Sequence, residues 1–249
     1  MSLLTSLAIG AATPAIADGE SRWSSLDISG YLSVTSDYRF RGVSQSDNSA
    51  AVQGAIDVNH KSGLFVGIWA SNIDFSSFGD DDTSIEVDLS LGYARSLTEL
   101  TEVSIKAVYY WYADHDPLPG DPEYHYWEFI AGLSRKLGNT TLSLEVAYSP
   151  DYFEESGVAW AVIGGLDFPL CKELWFFDGG VRGSGHFGVQ AFDEPANPDY
   201  TFWDLGVTAS IGNFALDVRY VDNDLDSVEC GLNVCDENVV VSGTFSFGE

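Results

Sequence analysis

Hydrophobic and polar residues alternate along most of the chain, in runs of about ten residues. Between residues 84 and 95, every second position is apolar: Ile85, Val87, Leu89, Leu91 and Tyr93. Residues 142–148, 203–211 and 216–220 alternate in the same way. Because successive side chains of a strand point to opposite faces of the sheet, each run predicts a β-strand with one apolar and one polar face.

The pattern predicts twelve strands separated by turn-forming residues. Their expected bounds are 26–39, 51–60, 64–74, 83–95, 101–113, 124–137, 140–150, 157–168, 173–187, 200–212, 213–222 and 237–247. The alternation is weakest in 51–60, 64–74 and 173–187. An even number of strands places both chain termini on the same side of the predicted sheet, the side of the short turns.

The predicted connections alternate strictly between short and long. The short ones are 61–63, 96–100, 138–139, 169–172 and 212–213. The long ones are 40–50, 75–82, 114–123, 151–156, 188–199 and 223–236, and they hold most of the clustered acidic residues. Bacterial outer-membrane barrels have short periplasmic turns and longer extracellular loops. We therefore predict an all-β fold, a transmembrane antiparallel up-and-down β-barrel of about twelve strands, as a single domain over residues 18–249.

Aromatic residues cluster where the predicted strands meet their connections. An outer girdle is expected from Trp69, Tyr109, Tyr110, Trp111, Tyr112, Tyr126, Trp127, Trp160, Phe202 and Trp203. An inner girdle is expected from Trp23, Phe168, Trp175, Phe214 and Phe247. Amphipathic rings favour the headgroup level of a bilayer, so both girdles fit a membrane-spanning barrel.

The N-terminal segment has the pattern of a targeting signal. Residues 3–9 form a short apolar core, and Ala15-Ile16-Ala17 fits a small-residue cleavage site, although no Lys or Arg precedes the core. We predict a signal peptide over residues 1–17 and location in the outer membrane of a Gram-negative bacterium. The expected partners are outer-membrane lipid, lipopolysaccharide and the barrel-assembly machinery, for which Phe245 and Phe247 near the end of the last strand are suitable signals.

The charge balance favours cations in the lumen. The chain has 38 acidic and 11 basic residues, a net charge of −27, which argues against binding to nucleic acid. Alternation predicts these pore-lining side chains: Asp57, Glu86, Asp88, Lys106, Glu128, Glu145, Asp178, Arg182, Asp204, Asp217 and Arg219. Rings of carboxylates favour cations in a pore. Alternatively, the inward acids pair with the few inward bases and close the barrel.

Cysteines and histidines indicate a disulfide and no catalytic, cofactor or metal site. Cys230 and Cys235 are predicted to pair, with Cys171 left over, since no His accompanies the pair to complete a zinc site. The acidic run at residues 222–226 lacks the Gly and Glu of a calcium loop. With four His and no visible nucleophile–base–orienter set, an enzyme is not predicted.

Arg39 and Arg41 are predicted either to line a constriction or to form salt bridges that fix the first loop.

The stretch Ser36-Asp37-Tyr38-Arg39-Phe40-Arg41-Gly42-Val43-Ser44-Gln45-Ser46-Asp47 resembles a proteobacterial outer-membrane family, the Gcw conserved-hypothetical or TorF-type porins. The resemblance continues through residues 51–54, 67–72, 85–88, 92–93, 126–128 and 148–153. It implies an outer-membrane location and a pore role, and it brings no substrate and no site residues.

Three functions follow as hypotheses from these patterns. The first is a porin-like channel for passive diffusion of ions or small cationic or neutral solutes. The second is a closed structural or interaction barrel whose acidic extracellular loops contact partners. The third is a secreted soluble β-protein, which recovery of the protein from the soluble periplasm would favour.

Overall fold

Twelve long strands of the described residues form one closed sheet. The computed structural model describes residues 25–79, 82–117, 119–171, 180–194, 197–226, 230 and 233–248. Within them, no helix is long and apolar enough to cross a membrane. The strands are β1 (Leu26–Thr35), β2 (Arg39–Phe40), β3 (Val43–Ser44), β4 (Ala51–His60), β5 (Leu64–Asn72), β6 (Ile85–Thr98), β7 (Thr101–Tyr112), β8 (Tyr126–Leu137), β9 (Thr140–Ser149), β10 (Ala159–Cys171), β11 (Val181–Phe192), β12 (Tyr200–Ile211), β13 (Phe214–Asn223) and β14 (Asn238–Phe247). Short 3₁₀ helices span Ser76–Phe78, Phe153–Glu155 and Asn233–Cys235.

The sheet closes because β1 pairs with both β4 and β14, and every pairing around the barrel is antiparallel. Leu26 lies opposite His60 on one side of β1, and Gly30 lies opposite Phe247 on the other. Closure leaves no strand edge with unpaired backbone groups, which is what allows a sheet to stand in hydrocarbon. The predicted antiparallel barrel of about twelve strands is confirmed.

The outer face of the barrel is apolar and the inner face polar. Ile105 and Leu205, both near the middle of their strands, are 63% and 64% exposed. On the inner face, Glu128, Glu145 and Arg219 are buried. Arg95 and Arg135 reach the outside only near the short-turn end of β6 and β8. A side-chain period of two thus gives each strand one face for lipid and one for the lumen.

The strand predicted over 173–187 is wrong in position, since β11 begins at Val181 and continues to Phe192. The preceding strand does not end before Pro169, as predicted, but pairs Pro169 with Arg182 and passes through a register shift to Cys171. Residues 181–188 contain three glycines and few apolar side chains, so their alternation is hard to see. Part of the predicted strand, with Trp175, lies outside the described residues.

Half of the predicted outer girdle points into the barrel instead of toward lipid. Trp111, Trp127 and Trp160 are 40–47% exposed on the outside, as expected for a girdle. The buried inward ones are Tyr110, Tyr112, Tyr126 and Phe202, and Trp69 contacts the buried Tyr38. The alternation of the strands already required this split. Of the predicted inner girdle, Trp23 lies outside the described residues.

Candidate functional site in the barrel lumen

The first long connection folds into the mouth of the barrel. We call residues 36–50 the plug loop. It contains the two-residue strands β2 and β3, joined by Arg41 and Gly42 with φ of 48° and 88°. Positive φ at both central residues is the signature of a type I′ hairpin turn, which tolerates Gly well and Arg poorly. The turn directs Arg41 into the protein, where only 5% of the residue is exposed.

Hydrogen bonds around Asp37 hold the plug loop in its folded form. The Asp37 carboxylate accepts bonds from Arg39 Nε at 2.5 Å and Ser44 Oγ at 2.6 Å. It also accepts a bond from Asn238 Nδ2 on β14 at 3.0 Å. Arg39 in turn donates to the backbone carbonyl of Val234 in the last loop, at 3.0 Å. The plug loop is therefore fastened to the opposite end of the chain.

Arg41 makes a buried ion pair across the lumen with Glu128 on β8. Its Nη1 lies 2.8 Å from Glu128 Oε1, and its Nη2 lies 2.9 Å from Oε2. Nη1 also donates to Gln190 Oε1 on β11 at 2.8 Å, and the Tyr110 hydroxyl donates to Glu128 Oε2 at 3.0 Å. Both charged side chains are 2% exposed. A bidentate ion pair of this kind fixes the position of the guanidinium as well as compensating its charge.

Aromatic rings surround this ion pair at the loop end of the barrel. Tyr110 and Tyr126 stack with their centroids 4.3 Å apart, and Tyr126 contacts Tyr152 at 4.7 Å. Phe40 meets Tyr110 edge-on at 5.9 Å. Burial raises the pKa of the loop residue Tyr152 to about 12, so its hydroxyl stays neutral at physiological pH. The rings of the strands and the plug loop therefore pack together around the ion pair.

Below the plug loop lies a cavity of about 70 Å³, enough for only a few water molecules. Its walls include Arg41, His186, Asp204, Asp217 and Arg219. Arg219 bridges the carboxylates of Asp204 and Asp217, and His186 Nδ1 lies 2.9 Å from Asp204 Oδ2. Each carboxylate of this wall thus has a basic partner, with Arg219 shared between Asp204 and Asp217.

The opposite wall, on β4 to β9, is acidic. Glu86, Asp88 and Glu145 each bury a carboxylate oxygen that has no hydrogen-bond partner among the described residues. Lys106 is in electrostatic contact with Asp57, Asp88 and Glu145, and Glu145 also interacts with Arg41 and His186. The lumen is thus asymmetric, with paired charges on one wall and an excess of carboxylates on the other.

The structure places the predicted pore-lining residues on the inner face of their strands. The described ones are Asp57, Glu86, Asp88, Lys106, Glu128, Glu145, Arg182, Asp204, Asp217 and Arg219. Arg182 pairs with Asp167 below the cavity. Asp178 lies outside the described residues. The sequence did not single out Gln190, and it assigned Tyr110 and Tyr126 to the outer girdle. The part of these residues in the site depends on where the plug loop folds.

Ser184 and His186 share one face of β11 but do not form a hydrolase arrangement. Ser184 Oγ accepts a bond from Arg219 at 2.8 Å, while His186 bonds to Asp204. Among the described residues, no group of three or more His, Cys, Asp or Glu is placed to hold a metal ion. The absence of an enzymatic role stays a prediction.

Cys230 and Cys235 face each other in the last long loop, with Cα atoms 6.1 Å apart and the sulfurs joined as a disulfide. Cys171 has a free thiol. We expect alkylation of the denatured, unreduced protein to add one label per chain, and reduction beforehand to raise that to three. Mass spectrometry distinguishes these results, and three labels without reduction would contradict the disulfide.

The closed sheet, the apolar outside and the charged inside define a β-barrel of the transmembrane type. A family model described as "Bacterial protein of unknown function (Gcw_chp)" matches residues 19–247. The chain belongs to this family, as its sequence resemblance implied. No curated protein sequence matches it.

Several solved structures are similar in fold. The KdgM porin in complex with disordered oligogalacturonate aligns with a TM-score of 0.57 at 6% identity, over 88% of this chain and 99% of that one. LpxR from Salmonella typhimurium aligns at 0.48 and 9% identity, over 89% and 100% of the two chains. The Salmonella typhi OmpF complex with daunomycin aligns at 0.45 and 10% identity, over 89% and 97%. At these identities the likeness concerns the fold alone.

Proposed function

We propose that this protein is a porin-like channel of the bacterial outer membrane, through which ions and small cationic or neutral solutes diffuse passively. The observation that carries the proposal is the acidic wall of the lumen inside an apolar closed sheet. Buried carboxylate oxygens without hydrogen-bond partners are costly in a dry core, whereas a water-filled passage would hydrate them and their counter-ions. The acid excess would then favour cations.

The outside of the barrel supports the proposed membrane location. Large apolar side chains such as Ile105 and Leu205 would stand in water if the protein were a secreted soluble one. Outer-membrane lipid and lipopolysaccharide are therefore the proposed surroundings. Phe245 and Phe247 lie on the outer face of β14, which fits insertion by the barrel-assembly machinery.

A closed structural or interaction barrel is the second candidate, and the plug loop favours it. The ion pair of Arg41 and the aromatic rings above the small cavity leave little space at the mouth. For a channel to conduct freely, the plug loop has to move or leave a side passage. The two candidates therefore differ in whether the protein passes ions with its plug loop intact.

We expect purified protein in planar bilayers to give current steps that carry K⁺ more readily than Cl⁻. Asp57→Asn, on the acidic wall and away from the plug loop, is expected to reduce this preference measurably in a KCl gradient. Glu123→Gln removes an acid from an exposed loop and serves as the matched control, with a smaller effect. Preference for Cl⁻ would contradict cation selectivity. If neither the wild type nor a variant lacking residues 39–44 gave any current, the channel proposal would be overturned.

A further inference from the structure

We propose that the pocket filled by the Arg41 guanidinium is a recognition site for small organic cations that carry a guanidinium group. The plug loop then acts as a tethered substitute for the solute, and a solute in the lumen competes with it. This inference rests on the proposed channel function for the claim that solutes reach the pocket. The pocket itself is visible in the structure.

The hydrogen-bond acceptors of the pocket come from the barrel, while the Phe40 ring of the plug loop lies 4.7 Å from the Arg41 guanidinium. Glu128 of β8 offers both carboxylate oxygens side by side, at 2.8 and 2.9 Å from the two terminal nitrogens of Arg41. Gln190 of β11 adds its carbonyl oxygen at 2.8 Å. This arrangement matches a planar group with parallel N–H donors, which K⁺ or an ammonium group cannot reproduce. The barrel would present the same acceptors if Arg41 withdrew.

The rings around the acceptors also suit a cation with a flat, weakly hydrated surface. The Tyr110 hydroxyl donates a hydrogen bond to Glu128. Tyr152 and Tyr200 are both close enough to Arg41 to interact with its charge. Aromatic faces attract guanidinium groups, most strongly where water is excluded. Glu86 and Glu145 on the acidic wall each keep one oxygen that lacks a hydrogen-bond partner among the described residues, and their carboxylates add a negative field around the pocket.

Arg41 fills this pocket imperfectly, as a tethered substitute would. Its backbone has φ of 48°, a left-handed conformation that costs a non-glycine residue free energy. Its Nε and the Nε2 of Gln190 are buried without hydrogen-bond partners among the described residues. A free guanidinium is not restrained by the hairpin and can turn to use donors that Arg41 leaves unpaired.

Arg41→Ala tests the inference because it empties the pocket while the barrel acceptors remain. In detergent micelles, calorimetric titration with methylguanidinium is expected to show binding to this variant at least tenfold tighter than to the wild type. Adding Glu128→Gln should abolish that gain, because a charge-assisted pair is lost. Urea, a neutral molecule of the same shape, should not bind detectably. In bilayers, methylguanidinium should reduce the K⁺ current of Arg41→Ala.

Arg182→Ala is the matched control, since it removes another lumen arginine without opening the Glu128 pocket. We expect it to bind methylguanidinium no better than the wild type. Arg41→Gln, which keeps a hydrogen-bond donor toward Glu128, repeats the test should Arg41→Ala fail to give a heat-modifiable folded barrel.

Equal binding with and without Glu128 would overturn the inference, as would binding of urea. Binding in micelles without bilayer current would contradict the channel alone, and current without binding would contradict the pocket alone.

Discussion

Leu91→Lys is expected to lower the free energy of unfolding by about 2–4 kcal/mol, because a lysine at mid-height on a lipid-facing surface must be dehydrated. Leu91 lies near the middle of β6 and is 59% exposed on the outside. In water the same substitution on an exposed leucine would change stability little. Urea unfolding of the protein in lipid vesicles, followed by tryptophan fluorescence, measures the difference.

Ser90→Lys is the matched control, one residue away and on the opposite face. Ser90 and Asp57 flank Gly67 on the inner side of the sheet, so a lysine there meets a carboxylate and the lumen. We expect its free energy of unfolding to stay within about 1 kcal/mol of the wild type. Equal losses from the two substitutions would contradict a lipid-facing exterior.

The sequence specifies the strands best where apolar residues mark every second position. The strands predicted over 200–212 and 213–222 became β12 (Tyr200–Ile211) and β13 (Phe214–Asn223), because Leu205 and Val218 belong to uninterrupted alternating rows. In β11 the glycines provide no side chains to alternate, and the position of the strand is set by pairing with β10 and β12. Pairing across the sheet is not visible in a local pattern.

Which loop enters the barrel depends on long-range contacts that period-two alternation does not report. The sequence did offer a chemical signal for this loop. The first long connection carries Arg39 and Arg41, whereas the other long connections are mainly acidic. Both arginines form the salt bridges of one sequence hypothesis, Arg39 with Asp37 and Arg41 with Glu128. A constriction lined by the pair stays a prediction. The partner of Arg41, Glu128, follows it by 87 residues. Only the closed barrel brings the two together.

The charge pattern of the lumen was predictable in sign but not in arrangement. Alternation gives the inward position of Asp88, Asp204 and Arg219, but not which acid faces which base. Arg219 lies between Asp204 and Asp217, while Asp88 is left on a wall with an excess of acids. The asymmetry follows from the order of strands around the barrel. It gives the two walls different roles in solute passage under the proposed function.

Glu128→Gln is expected to lower the free energy of unfolding by about 3–5 kcal/mol, because it leaves Arg41 buried without a counter-charge. Replacing both partners, as Arg41→Met with Glu128→Leu, should recover most of that loss, since apolar side chains of similar volume need no compensation. The comparison uses urea unfolding in vesicles for the two single variants and the double variant.

Recovery in the double variant would mean that the ion pair contributes position more than stability. The barrel can be held together without it, yet Glu128 keeps a carboxylate buried at 2% exposure beneath a strained turn. A buried carboxylate that lowers stability in this way is physically reasonable if it also binds a cation other than Arg41. A double variant as unstable as Glu128→Gln would instead show that the pair is needed for folding, and the pocket would lose this thermodynamic support.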